Sequence, residues 1–149
     1  MKTRIIAFAV CVLTGSLSAG PISDIPEEAK VTLAAPYSSW TPSKEQKLQG
    51  LILIQTFLDE SAEKNTSPRN PAQKILKREG GYRVQILGIE KNGKRLLHFN
   101  FFRAFISDSF HKNWKETPVS VDDGGTDYWR MDYDPSTGKC LNFESNGEG

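Results

Sequence analysis

Apolar and polar residues alternate with a period of two on both sides of Asn92-Gly93. Asn-Gly is the pair that most readily takes the two positive-φ positions of a tight hairpin turn. A turn there sets Lys91 against Lys94, Ile86 against Phe99, Val84 against Phe101 and Tyr82 against Arg103. Tyr82, Val84, Ile86, Phe99 and Phe101 then share one apolar face, as a core-facing hairpin requires. The other face sets Arg83, Gln85, Leu87 and Ile89 against Phe102, Asn100, His98 and Leu96. This mixed face predicts partial cover by the N-terminal arm, a second subunit or a ligand.

Upstream the period changes to that of a helix. Ser43 and Gln46 have capping-box spacing, and Leu48, Leu51, Ile52, Gln55, Leu58 and Ala62 form one stripe, broadened by Leu53, Ile54 and Phe57. Gly50 weakens the helix by about 1 kcal/mol but permits a close approach to a sheet. Pro71 to Arg78 reads as a short second helix whose Lys74, Lys77 and Arg78 form a basic cluster, a candidate patch for an acidic partner. Downstream, Phe110 and Trp114 have helical spacing in an otherwise loop-like stretch. The final hairpin turns at residues 134–138. Pairing Tyr133 with Lys139 sets Met131 against Leu141 and Trp129 against Phe143, and places Tyr128, Arg130, Asp132, Cys140, Asn142 and Glu144 on the opposite face. Residues 146–149 are a polar tail.

Residues 1–19 read as a signal peptide: Lys2 and Arg4 precede the apolar run 5–13, and small residues lead to cleavage after Ser18 or Ala19. That run is too short for a permanent membrane anchor. Its removal implies a secreted or periplasmic chain of about 130 residues, enough for one domain with its own core. Residues 20–42, with Pro21, Pro26 and Pro36, read as an extended leader whose Tyr37 and Trp40 are available to pack back. The domain proper is expected over 43–145. The formal charge falls from +1 to −1 when Lys2 and Arg4 are lost, which argues against a nucleic-acid partner. Only Cys140 then remains, so no intramolecular disulfide supports the fold. Asn65-Thr66-Ser67 matches a glycosylation sequon, which acts only in a eukaryotic secretory route.

Candidate chemistry is sparse. His98 lies on the mixed face, where the register offers Asp132 or Tyr128 as partner for general-base work. His98, Leu87, Phe102 and Tyr128 are the candidate ligand-binding residues. Asp122, Asp123 and Asp127 are dense in carboxylate but lack the loop spacing of a calcium site, and neither His98 nor His111 has metal-ligand spacing. Cys140 would act as a nucleophile only beside a cation or base. No cofactor motif is present, and no cofactor is expected.

One long helix followed by about four antiparallel strands predicts an α+β domain, the helix laid on a curved sheet. In element order this resembles the cystatin-like and nuclear-transport-factor-2-like (NTF2-like) classes, over roughly residues 43–144. Cystatins block papain-like proteases with a Gln-x-Val-x-Gly hairpin loop; here Gln85-Ile86-Leu87-Gly88 lies inside a strand with different spacing. The second class implies isomerases or dehydratases with Asp, His and Tyr in a concave pocket. The leading reading is a non-enzymatic binding domain for a protein or small molecule. A small-pocket enzyme using His98 with an acid or Tyr is the alternative. A dimerising envelope protein, with an apolar sheet face, is the third reading.

Overall fold

The computed structural model describes residues 19–105 and 110–148. Except for Ala19, the expected signal peptide, residues 1–19, lies outside those described. The same holds for Ile106 in the stretch between the two hairpins.

The capping box at Ser43 forms: Ser43 Oγ accepts from Gln46 N (3.1 Å), and Gln46 Oε1 accepts from Ser43 N (2.9 Å). It opens α1 (Lys44–Lys64), which buries Gly50, Leu51, Ile54, Gln55, Leu58 and Ala62. The buried stripe is rotated from the expected one, leaving Leu48 half-exposed and Ile54 inside. Gly50 explains the rotation. A Cβ there would lie 2.5 Å from Phe99 Cζ, so the helix meets the sheet along the glycine's own face. A short helix α2 (Pro71–Leu76) follows, capped by Asn70 Oδ1 accepting from Ala72 N (3.1 Å).

The strands are β1 (Lys30–Thr32), β2 (Tyr82–Lys91), β3 (Lys94–Arg103), β4 (Tyr128–Asp134) and β5 (Lys139–Ser145). Asn92 (φ 52°) and Gly93 (φ 75°) make the turn between β2 and β3, and every expected pair across that hairpin is found. Its apolar face, continued by Trp129, Met131 and Tyr133, packs on α1, α2, Ile22 and Ile25. Phe101 and Trp129 stack at 3.8 Å in the middle of this layer.

Three expectations are overturned. The sheet is not an antiparallel one of about four strands. It has five strands in the order β1-β2-β3-β4-β5, and β1 runs parallel to β2. It stays open, with β1 and β5 as its edges, unlike the closed, curved sheet of the cystatin-like and NTF2-like classes. That resemblance is withdrawn, and an open sheet lends no support to secreted or periplasmic placement either. The leader, secondly, is part of the domain. Ile22, Ile25 and Leu33 are buried, β1 pairs with β2, and the chain returns so that Ser39 N donates to Gly88 O (2.8 Å) and the Trp40 indole N–H to Ile89 O (3.0 Å). Gly88 allows that return, because a Cβ there would lie 2.0 Å from Trp40 O. Trp40 thus lies along the outer edge of β2 beside the core, not over the mixed face.

Thirdly, the last hairpin is shifted by one residue. Asp134 pairs with Lys139, Tyr133 with Cys140 and Asp132 with Leu141, until a bulge sets Asn142 and Phe143 together against Met131. Asn142 takes φ 56°, the left-handed conformation that such bulges use. The bulge resets the alternation: Cys140 and Phe143 both pack against the core, while Leu141 is exposed. Cys140 therefore lies on the face away from Asp132.

Candidate functional site

Residues of the mixed face come together because β3 and β4 are paired in register. His98 stands directly opposite Asp132, Asn100 opposite Arg130 and Phe102 opposite Tyr128. Of the two partners open to His98, the structure selects Asp132: His98 Nδ1 lies 2.6 Å from Asp132 Oδ1. The second carboxylate oxygen accepts from Asn142 Nδ2 (2.8 Å), aimed there by the bulge, and from Lys91 Nζ (3.3 Å). The Asp132 side chain is only 2% exposed. Burial alone would push its carboxyl up. The hydrogen bonds from His98 and Asn142, with the positive charge of Lys91 and that of His98 when it is protonated, outweigh burial and hold it below the usual carboxylate value. Asp132 is therefore ionised near neutral pH, and an ionised carboxylate only accepts. The proton in the 2.6 Å contact must belong to Nδ1, so in the neutral ring Nε2 carries the lone pair. Nε2 has no hydrogen-bond partner among the described residues.

A polar clasp builds the wall facing His98. Gln85, fully buried opposite Asn100, donates to Trp114 O (2.5 Å) and Thr117 O (2.7 Å) and accepts from Val119 N (2.8 Å) and Asn100 Nδ2 (3.0 Å). Asn100 Nδ2 also donates to Val119 O (2.8 Å). From the other end, Asn146 Nδ2 donates to Val121 O and to Asp123 O (3.0 Å). Residues 118–121 are thereby fixed over the sheet. Between them and the strands lies a cavity of about 230 Å³ lined by Leu87, His98, Asn100, Ser120 and Arg130, among others. Arg130 is ion-paired to Glu144 (2.6 Å) and gives one wall a charged edge.

The other expected ligand-binding residues form a separate cluster. Tyr128 OH lies 3.0 Å from His111 Nε2, and Phe102, fully buried, meets the rings of His111 and Trp114 edge-on. Burial depresses the His111 pKa; burial and the neighbouring Asp127 charge raise that of Tyr128. Phe102 is thus covered and has no surface for a ligand. Leu87 and His98 line the cavity; Tyr128 and Phe102 do not. Asp127 pairs with Arg78 (2.9 Å) and Arg103 (3.7 Å), while Asp122 and Asp123 are exposed. Among the described residues no group of three or more His, Cys, Asp or Glu converges as a metal site would require. Burial pushes the Cys140 thiol up to about 11, away from the thiolate a nucleophile needs.

Gln85 and Asn100 complete the site, though the sequence marks them only as members of the mixed face. A polar pair facing itself across two strands, amid Leu87, Leu96 and Phe102, was their available signal.

No family model, no curated protein and no solved structure matches this chain. The class that fold and site define is a small α+β domain with a buried polar network, and no helix among the described residues is long and apolar enough to cross a membrane.

Proposed function

We propose that the chain is a small-pocket enzyme in which His98 removes a proton from a small polar substrate and Asp132 holds the imidazole for that task. One observation carries the reading: an imidazole bound at 2.6 Å to a buried, ionised carboxylate, its other nitrogen unpartnered, on the wall of a cavity. General-base catalysis asks for that arrangement. The carboxylate fixes the tautomer that presents Nε2 and stabilises the imidazolium formed when the proton arrives. The cavity's 230 Å³ lies below the ~300–1,000 Å³ usual for ligand pockets, which limits the substrate to a small one.

The test uses the exchange that proton abstraction entails. A panel of small keto and hydroxy acids is incubated with the chain in D2O, and loss of the proton signal next to the carbonyl is followed by NMR. Exchange is expected with the wild-type chain and a fall of about a hundredfold or more in His98→Gln. Equal exchange by His98→Gln, or none above buffer by the wild type across the panel, refutes the reading.

A further inference from the structure

On the other face of the same strand lies a second cavity with a different character. Alternation along β2 turns Leu87 toward the His98 pocket and Ile86 toward α1. Where β1 meets the first turns of α1, a groove of about 580 Å³ opens, within the usual size of a small-molecule site. Its floor is apolar: Leu51 and Ile86 are 1% and 2% exposed, and Val31 and the half-exposed Leu48 extend it toward solvent. Its rim is cationic, with Lys30, Lys44 and Lys47 set against the single carboxylate of Glu27. Glu27 pairs with Lys30 (2.9 Å) and also feels the charges of Lys44 and Lys47, while Lys47 Nζ donates to Thr32 Oγ1 (3.0 Å), so among the described rim residues three cations share one carboxylate and a net positive charge remains.

Helix stability does not account for those lysines. Lys44 and Lys47 occupy the first turn of α1, the end at which the helix macrodipole disfavours cations. Leu48, turned out of the buried stripe by the seating of Gly50 on Phe99, overhangs the groove.

We propose that this groove binds an amphiphilic anion, a fatty-acid-like carboxylate whose chain lies on Leu48, Leu51 and Ile86 and whose head meets Lys44 and Lys47. Apolar floor and cationic rim are complementary to the two halves of such a molecule, and to neither a simple anion nor a neutral lipid alone. The site is separate from the His98 pocket and stands or falls independently of it.

The probe is decanoate, titrated into the full chain below its micellar concentration and followed by calorimetry and amide NMR. Saturable binding is expected, with shifts at Val31, Leu48 and Leu51. Acetate, decanol and decyltrimethylammonium are expected to bind at least about fivefold more weakly, as loss of one ionic contact or of the chain would dictate. The double substitution Lys44→Glu/Lys47→Glu should weaken decanoate at least about tenfold. These changes place acids where the helix dipole favours them, so lost binding cannot be ascribed to a weakened helix. His98→Gln should leave it unchanged. The proposal is overturned if decanoate fails to saturate, if acetate or the decyl cation binds equally well, or if the double variant binds like the wild type.

Discussion

Replacing Gln85 by Met tests whether the clasp over the mixed face is what builds the His98 pocket. Methionine keeps the length and removes both polar atoms. It would strand the carbonyls of Trp114 and Thr117 and the amide of Val119, three backbone groups that Gln85 now satisfies. A buried group left without a partner costs about 1–3 kcal/mol, so a segment that stayed in place would lose at least ~3 kcal/mol. The segment has an alternative: to lift into water. Its principal apolar anchor is Trp114, 6% exposed, whose release forfeits about 2–3 kcal/mol of burial. The smaller cost governs, so the expected destabilisation is about 2–3 kcal/mol, accompanied by detachment of residues 113–121. The core on the α1 side shares none of these bonds and should persist. Urea unfolding measures the first effect and should show a smaller dependence on urea, because less surface remains to be exposed. Hydrogen exchange at Val119 measures the second, since local opening erases its protection. A loss under about 0.5 kcal/mol with Val119 still protected would refute the account of the clasp.

Asp132 links stability to pH. Its folded pKa lies below the unfolded value of about 3.9, so its contribution is complete above that pH and is lost as pH falls through the folded pKa. Asp132→Asn should cost about 2 kcal/mol at pH 7, with the difference from wild type shrinking below pH 4 in urea unfolding; a difference unchanged at pH 3 would contradict the ionised dyad. Gly50→Ala gains up to about 1 kcal/mol of helix propensity but sets a methyl 2.5 Å from Phe99, an overpacking cost of about 1–3 kcal/mol. Thermal melting should show a net loss, and a gain would mean that α1 does not rest on its glycine face.

The parts of the fold legible in the sequence are those fixed by neighbours along the chain. The β2–β3 hairpin was readable because one turn and one alternation determine all its pairs. The α1 cap was readable because Ser43 and Gln46 carry it between them. Strand β1 was not, because its three residues pair with a strand some fifty positions away, across two helices, and parallel pairing leaves no turn to mark it. Contact between His98 and Asp132 could be anticipated from parity alone, since both fall on the face opposite Phe99 and Met131. Its exclusive choice over Tyr128 could not, because His111 arrives from a loop to engage that phenol. The face of Cys140 is not legible for the same kind of reason. An unbroken alternation carries it to the Asp132 side, and the bulge that prevents this gives no local sign other than an asparagine.

That asparagine shows how packing and chemistry are coupled in so small a domain. Without an extra residue in β5, Phe143 and Cys140 would lie on opposite faces, and the contacts of Phe143 with Phe57 and Trp129 would require Cys140 to leave the core. The inserted residue must take the left-handed conformation, which asparagine tolerates better than other non-glycine residues. Glycine would satisfy the backbone alone. Asparagine also sends an amide to Asp132 Oδ2, one of the bonds that offset burial of the carboxylate and keep it charged beside His98. The residue that closes the core on one face of the sheet is thus the one that helps set the protonation state on the other. Both requirements meet at position 142, and a side chain able to meet only one would leave either Phe143 unpacked or Asp132 short of a donor.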